Sequence, residues 1–262
     1  MLKTEKTRAN QDLVTVLAIG IVLMTGVALL VFSTFNGSSF LAILGVSVAF
    51  WSMLLLFFTP TKHAFLSLLK ASTSASASNI ERSLLQFKLT EKGVYLPPQN
   101  LKNFDSSLVF VPKMTHAHLP ASNEVSDKLF PDKENGVFFT PPGLTLSLMF
   151  EQELGLSFRK IPLLQMQEAI KKILNKLKLA EDARVRIQDS TITLEITGSV
   201  FNILCQETRS NQPRTHAQVG CILTSAFACA FAKASDKPIT IQNDTLNPET
   251  KTLTIEYHME GV

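Results

Sequence analysis

Three cysteines and one histidine near the C-terminal end are the residues best suited to chemistry in this sequence. Cys205, His216 and Cys221 fall within 17 residues, and Cys229 follows eight residues later. Thiolates and imidazoles are ligands that zinc prefers, so Cys205, His216 and Cys221 form a candidate metal set. The spacing is not that of a zinc knuckle, however, and cysteines in apolar helices usually behave as small core residues. We therefore expect buried free thiols, with a metal site as the alternative.

The same region could instead line a pocket. Cys221 and Cys229 are about two helical turns apart, so both could face one apolar cavity. A thiol in such a cavity could hold a lipid chain or become acylated by it. The candidate ligand-pocket residues are Cys205, Cys221, Ser225 and Cys229.

Signatures of common enzymes and of nucleic-acid-binding proteins are missing from the sequence. No serine or cysteine combines with a histidine and a carboxylate in a nucleophile motif, and neither glycine-rich phosphate-binding pattern occurs. Residues 81–262 carry 20 basic and 20 acidic side chains, so no basic surface for nucleic acid is expected. The sequence thus predicts no cofactor and no nucleic-acid partner, and it favours a binding role over catalysis.

The first quarter of the chain has the composition of a membrane anchor. The 49 residues between Asp12 and Lys62 contain no charged side chain. Because a spanning helix needs about 20 apolar residues, this stretch predicts two transmembrane helices, 13–33 and 40–58, joined by a turn at 34–39. A cleaved signal peptide is the alternative for the first span, but its apolar run is longer than a signal core.

Small residues on the second span predict a helix-packing face. Gly45 and Ala49 stand four residues apart on one face, where close approach of another helix is favoured. We expect this face to pack on the first span. The alternatives are a second copy of the chain or another membrane subunit.

Charge predicts the orientation of the hairpin. Its neighbouring basic residues flank the two outer ends, and the connecting turn has none; they are Lys3, Lys6, Arg8, Lys62 and Lys70. The positive-inside rule therefore places both termini in the cytoplasm. Three cysteines, an odd and sparse set, agree with a reducing compartment. We expect a cell-membrane protein with two lipid-exposed helices and a cytoplasmic domain.

The rest of the chain predicts one α+β domain, in which an antiparallel sheet is covered by helices on one face. The expected division of the chain is a cytoplasmic tail (1–12), the hairpin (13–58), a juxtamembrane segment with a flexible Ser/Ala linker at 71–78 (59–79), and the domain (80–262). Short apolar runs that end at prolines predict strands; they are 94–96, 108–111 and 137–139. Helical spacing predicts helices at 80–89, capped by Asn79, and at 144–154 and 163–179. The C-terminal order is ββααββ, with strands 185–188 and 191–196, helices 200–207 and 220–234, and strands 238–241 and 252–257.

The C-terminal part also carries a family resemblance. Gly220 and Cys221 open a helix rich in small residues, which leads into Lys-Pro-Ile-Thr-Ile at 237–241 and a final strand. From Arg184 onward the chain resembles the 4-vinyl reductase domain family of small ligand-binding α+β domains. The resemblance implies a pocket for a small apolar ligand between that helix and the sheet. The turn at 244–250 lacks the cysteine that the family carries there, so no metal or reductase role is carried over.

The whole soluble part, with its segments 92–98 and 140–144, is similar to archaeal proteins that carry a membrane hairpin. The leading expectation is a membrane-anchored binding or accessory protein whose domain takes a small apolar ligand or a protein partner. The alternatives are a metal- or thiol-dependent enzyme using Cys205, His216 and Cys221, and a structural anchor that forms homo-oligomers through Gly45 and Ala49.

Overall fold

The computed structural model describes residues 2–58, 75–101, 106–114 and 135–261. The chain forms two compact units, Met1–Leu69 and Lys70–Val262. The first unit is a pair of apolar helices, and the second is an α+β domain built on one antiparallel sheet. The α+β class predicted from the sequence is therefore confirmed.

The helices of the first unit are longer than the predicted spans. Helix α1 covers Leu2–Asn36 and helix α2 covers Ser39–Phe58. The predicted tail at 1–12 is thus helical from residue 2, and the predicted turn at 34–39 shrinks to two residues. Gly37 takes a φ of +61° there, a conformation that glycine adopts without steric cost.

Small residues form the contact between α1 and α2. Gly26 lies against Ala49, and Gly45 lies against Leu30, so the two helices run antiparallel. A side chain at Gly26 would place its Cβ 2.8 Å from the Ala49 backbone nitrogen. Helix α1 therefore packs on the face of α2 that carries Gly45 and Ala49. This is the packing of the second span on the first that the sequence predicts. A partner helix could use that face only by displacing α1.

Two stretches among the described residues are long and apolar enough to cross a bilayer. Ile19–Asn36 in α1 has a mean hydropathy of 2.0 and is 11% buried, whereas Pro213–Ser235 has a mean hydropathy of 1.4 and is 78% buried. The apolar part of α2 at Ser39–Leu54 is shorter. Length and composition alone thus single out α1 and a stretch that belongs to the core of the domain.

Seven strands form the sheet of the domain in the order β3-β2-β1-β6-β7-β5-β4, and every neighbouring pair is antiparallel. The strands are β1 (Val94–Leu96), β2 (Leu108–Pro112), β3 (Gly136–Phe139), β4 (Asp182–Gln188), β5 (Thr191–Thr197), β6 (Ile239–Asn247) and β7 (Thr252–Met259). All seven predicted strands are present, including the three that end near prolines. β6 lies between β1 and β7 and joins the two halves of the sheet.

The helices of the domain are α3 (residues 75–86), α4 (Leu144–Leu154), α5 (Met166–Lys176), α6 (Asn202–Asn211), α7 (Pro213–Gln218) and α8 (Ile222–Ser235). Helix α4 has the predicted bounds. The predicted helix at 163–179 begins with a 3₁₀ turn at Leu163–Gln165, and its α-helical part is α5.

Helix α8 is the central element of the core. All ten residues from 223 to 232 are buried, and the helix packs on β1, β6 and β7, with α4 on its other side. Alanine, serine, threonine and cysteine dominate its sequence. Small side chains allow the helix axis to come close to the sheet and to the turn before α4.

The sheet is covered differently at its two ends. Buried and accessible residues alternate along β5, which indicates one covered face there. In β1 and β2 the residues of both faces are buried. The second face carries its own apolar cluster, which consists of Val94, Leu96, Leu101, Leu108, Phe110 and Phe138.

Two further predictions are wrong because tertiary contacts outweigh local signals. Residues 75–78, predicted as flexible linker, form the first turn of α3, and Asn79 lies inside that helix instead of capping it. The single helix expected at 200–207 is replaced by α6 and α7, so the C-terminal order is ββαααββ. Residues 59–74 of the predicted juxtamembrane segment lie outside the described part of the chain.

Candidate functional site: a disulfide-linked helical segment

Proline divides the segment before α8 into two short helices. Helix α6 ends at Gln212, where φ is −133° and ψ is 66°, and Pro213 starts α7. Proline lacks a backbone N–H and fixes φ near the helical value, so it ends a preceding helix and suits the first turn of the next one. Residues 202–218, which hold α6 and α7, are called the α6–α7 segment below.

A disulfide joins the first turn of this segment to the residue that begins α8. Cys205 in α6 is bonded to Cys221, the N-cap residue of α8, with their Cα atoms 5.2 Å apart. The expectation of three free thiols is therefore wrong, and only Cys229 is free. The two sulfurs approach because α6 and α7 turn the chain back on itself over the residues between them. The number of cysteines therefore no longer indicates a reducing compartment.

A carboxylate on β6 holds the middle of the segment. Asp244 Oδ2 lies 3.0 Å from Arg209 Nη2 on α6 and 3.2 Å from His216 Nε2 on α7. Arg209 also donates to the backbone carbonyl of Asp244 at 2.9 Å. The contact between His216 Nε2 and Asp244 Oδ2 has ion-pair distance but does not meet the geometry of a hydrogen bond. Asp244 and His216 are both largely buried.

The surroundings of Asp244 change its acidity. Burial alone would raise the pKa of this carboxyl. His216 and Arg209 outweigh that effect through contact and charge, and they hold the pKa of Asp244 below its usual value. Asp244 is thus an anion at neutral pH, and the cluster links α6, α7 and β6 electrostatically.

Helix α3 is attached to the start of α7. Glu81 accepts hydrogen bonds from the Thr215 backbone N–H at 2.7 Å and from its hydroxyl at 2.8 Å, and a longer one from Arg214 N–H at 3.3 Å. These bonds satisfy N–H groups that a helix start leaves without internal partners, and a carboxylate is favourable at this end of the helix dipole.

Two more contacts connect the same helices. The Thr215 hydroxyl shares its one proton between Glu81 and the Ala77 carbonyl, which is 3.2 Å away, and Gln212 Nε2 donates to Ser78 Oγ at 3.3 Å. Ala77 and Thr215 are buried at this contact. The first turn of α3 therefore depends on the position of α7.

A small cavity lies where α3, α6 and the start of α8 meet. Its volume is about 30 Å³, and its lining residues are Ser76, Ala77, Pro142, Leu204, Thr208, Gly220, Cys221 and Ile222. A space of this size holds about one water molecule. Pockets for small ligands are roughly ten times larger, so this cavity does not fit the apolar ligand that the sequence suggested.

The other two predicted pocket residues are part of the packed core. Ser225 Oγ accepts a hydrogen bond from Gly143 N–H at 3.0 Å, and a Cβ on Gly143 would stand 2.1 Å from the Ala226 nitrogen. Cys229 is a buried residue of α8, and burial raises the pKa of its thiol well above the usual range. Ser225 and Cys229 thus help pack α8 and do not share a cavity with the disulfide.

Two tyrosines complete the polar interior around α8. Tyr95 on β1 donates to the Val219 carbonyl, and Tyr257 on β7 donates to the Thr224 carbonyl at 3.0 Å. Both phenols are fully buried, and burial is the main reason that their pKa values are raised. They remain protonated donors that fix the start of α8 above the sheet.

The proposed metal set is not assembled. Cys205 and Cys221 are bonded to each other, and His216 contacts Asp244 instead of either sulfur. Among the described residues, no group of three or more His, Cys, Asp and Glu side chains is placed to hold a metal ion. The arrangement favours a structural part for these residues over a metal centre.

Comparison with known proteins gives a family without an assigned activity. Residues 1–258 match the family described as a domain of unknown function, DUF7982. The chain belongs to this family. No curated protein and no solved structure is significantly similar to it. Because the DUF7982 match includes the helix pair as well as the α+β domain, the two units are parts of one family architecture.

In this DUF7982 protein, the residue types of Cys205, Cys221 and His216 mark them as candidates in the sequence. The side chains that they contact in the fold are not evident from the sequence. Asp244 was assigned to a turn, whereas β6 continues through it. Glu81 lies in the helix predicted at 80–89, for which the sequence indicates no partner. Both carboxylates act on residues more than 25 positions away in sequence, and no local pattern reports such contacts.

Proposed function

We propose that this protein is a membrane-anchored accessory protein, in which α1 and α2 insert into a bilayer and the α+β domain binds a protein partner on the cytoplasmic side. The observation that carries the proposal is the exposure of the α1 stretch Ile19–Asn36, which is 11% buried despite its mean hydropathy of 2.0. Apolar surface of this extent is unfavourable in water. A bilayer removes it from water without further protein contacts.

The lengths of the two helices fit a bilayer. At 1.5 Å per residue, the 20 residues of α2 extend roughly 30 Å, the thickness of a hydrocarbon core. The 35 residues of α1 extend further, and the surplus is at the N-terminal end, which carries Lys3, Lys6 and Arg8. These charges lie beyond the apolar part of the helix, as a cytoplasmic N-terminus requires.

The choice of a protein partner over a small ligand follows from the interior of the domain. The cavity beside Cys221 holds about one water molecule, and Ser225 and Cys229 lie in close-packed surroundings. A pocket like that of 4-vinyl reductase domains would have to open by moving α8. The resemblance to that family stays a prediction, and retention of an apolar ligand by the purified protein would support it.

Cysteine accessibility in whole cells tests the anchor and its orientation. Ser39→Cys marks the exposed start of α2 next to the turn, Val27→Cys marks the middle of α1, and Gln152→Cys marks an exposed position of α4. A membrane-impermeant maleimide should label only Ser39→Cys in intact cells and should also label Gln152→Cys after the cells are opened. The unsubstituted chain is the control, since its only free thiol is buried.

Two outcomes would contradict the proposal. Labelling of Gln152→Cys in intact cells would place the domain outside the cytoplasm. Labelling of Val27→Cys as fast as Ser39→Cys would show that α1 is not in a bilayer. Native mass spectrometry of the gently extracted protein then tests the accessory role, because a discrete added mass identifies a partner or a ligand, and a bare monomer of 28.9 kDa argues against both.

A further inference from the structure

The disulfide is a covalent link between α6 and the start of α8, in addition to the chain that connects them. The bond closes a loop of 16 residues in sequence separation. Both cysteines are buried, but Cys221 lines the cavity at the junction of α3, α6 and α8. One side of the bond therefore borders empty space rather than packed side chains.

Few apolar contacts hold α6 in place apart from this bond. Leu204 and Cys205 are its buried residues, while Ile203 is 58% exposed. Polar contacts of α6 and its C-cap include those of Arg209 with Asp244, Asn202 Nδ2 with the Lys251 carbonyl, and Gln212 with Ser78. A helix with so few buried contacts opens locally at lower cost than the core elements do.

We propose that the Cys205–Cys221 disulfide is a reversible redox clamp, which a dithiol reductant opens to release the α6–α7 segment and, with it, helix α3. In the reaction, a thiolate of the reductant attacks one sulfur and forms a mixed disulfide, and the other cysteine leaves as a thiolate. The second thiol of the reductant then displaces the remaining cysteine. Two electrons and two protons pass to Cys205 and Cys221, and the reductant becomes a disulfide.

The structure connects this bond to the part of the domain that follows the membrane helices in sequence. The disulfide connects α6 to the start of α8, and Thr215, which lies between the two cysteines in sequence, is bound by Glu81 and the Ala77 carbonyl of α3. Residues 59–74 separate α3 from α2 along the chain. Opening the clamp thus acts on α3, and any transmission from there to the membrane anchor rests on the proposed function.

The cytoplasmic location in the proposed function fits a disulfide that is formed and reduced reversibly. Most cytosolic disulfides are transient, and they act in catalysis or redox sensing because cellular dithiols reduce them. The Cys229 thiol is eight residues from Cys221 in α8 but is buried without contact to the cavity. It provides a matched cysteine that should take no part in the response.

The clamp is tested by hydrogen exchange of the full-length protein in detergent. The experiment is done with and without dithiothreitol, a dithiol that forms a cyclic disulfide when oxidised. Reduction should accelerate amide exchange in residues 202–218 by up to roughly a hundredfold, the effect expected for opening a loop of about 15 residues. Exchange in residues 75–86 should rise as well, and β5 and β7 should stay protected. Cys229→Ser should respond like the parent, and the double variant Cys205→Ser, Cys221→Ser should exchange fast with or without the dithiol.

Three results would overturn the proposal. The disulfide could resist millimolar dithiol until urea is added, which would make it a permanent staple. Exchange in residues 202–218 could stay unchanged after full reduction, or the whole sheet could lose protection together with the segment. These readouts need no membrane, so they fail or succeed independently of the labelling experiment, which tests location and anchoring alone.

Discussion

Helices α1 and α8 have similar hydropathy and opposite surroundings. Ile19–Asn36 is 11% buried, and the stretch that contains α8 is 78% buried. The exposed positions of α1 carry large side chains, such as Met24 and Phe32, whereas α8 combines small residues with two inward phenylalanines, Phe227 and Phe231. Large apolar side chains all round a helix suit lipid, and small ones suit close packing in a core. Side-chain size therefore separates the two helices where hydropathy alone does not.

The two helices also differ in how their backbones are fixed. The start of α8 is held by buried phenols and by the Gly143 turn, while α1 packs on α2 through small residues. The chain offers a separate optical probe for each unit, because its only tryptophan, Trp51, lies in α2 and its only two tyrosines, Tyr95 and Tyr257, lie in the sheet. Variants can therefore be assigned to one unit or the other.

Truncation of a phenylalanine should have the largest effect and a different one in each helix. Phe227→Ala removes a fully buried ring that stacks on Phe150 at a centroid distance of 5.5 Å. We expect the free energy of unfolding of the domain to fall by about 3–5 kcal/mol, measured by urea titration with tyrosine fluorescence. Phe32→Ala, at a 59% exposed position of α1, is the matched control and should leave that titration unchanged. Equal losses would mean that the two units unfold as one.

Removing the charge of Asp244 should have a smaller effect that depends on pH. Asp244→Asn leaves Arg209 and His216 without their anion, and we expect a loss of about 2 kcal/mol at neutral pH. Because the pKa of Asp244 is lowered in the folded protein, its contribution is complete above the usual Asp pKa of about 3.9. It disappears as the pH falls through the lower folded-state pKa.

The comparison is made by urea midpoints of both proteins at several pH values, with the same tyrosine signal. Asp189→Asn, at an exposed turn between β4 and β5, is the matched control and should show little difference at any pH. A deficit of Asp244→Asn that stays constant down to the acid limit would argue against the ion cluster. A change in the Trp51 signal would argue that the cluster also affects α2.

The smallest effect is expected for a methyl group in the helix pair. Gly26→Ala places a Cβ 2.8 Å from the Ala49 nitrogen, whereas the same change at Gly20 meets no atom within 4 Å. We expect Gly26→Ala to weaken the α1–α2 contact by about 1 kcal/mol, the lower end for overpacking, and Gly20→Ala to have no effect. Titration with sodium dodecyl sulfate, followed by Trp51 fluorescence, measures this contact. A weaker contact in both variants would place α2 on another face of α1.

Local signals in the sequence predicted the strands and helix α4 well. Prolines and turn residues bound β1, β2 and β3, and alternation along β5 and β7 marks strands with one covered face. These elements follow rules of neighbouring residues. Helix α3 fails by the same rules, because Ser and Ala at 75–78 suggest a linker until the contacts of Ala77 and Ser78 with α7 are known.

The site was less accessible to sequence reasoning than the fold. The cysteines and His216 attract attention by residue type, but the partner of each depends on how α6 and α7 fold back. Three cysteines allow three possible pairs, and sequence alone does not choose among them. Asp244 and Glu81 resemble surface carboxylates until the fold places them beside helix α7. Functional residue types can therefore be read from the sequence, whereas their pairing cannot.

The central position of β6 determines when the sheet can be completed during synthesis. β1 pairs with β6 through Val94 and Thr240, so the mutually paired strands β1, β2 and β3 have no link to β7, β5 and β4 until β6 has left the ribosome. Pairings over such a distance in sequence form slowly, and the unpaired edge of β1 favours aggregation in the meantime. A ribosome-bound chain that ends before residue 239 should hold β1, β2 and β3 as a separate three-stranded unit, even when its two apolar helices are complete.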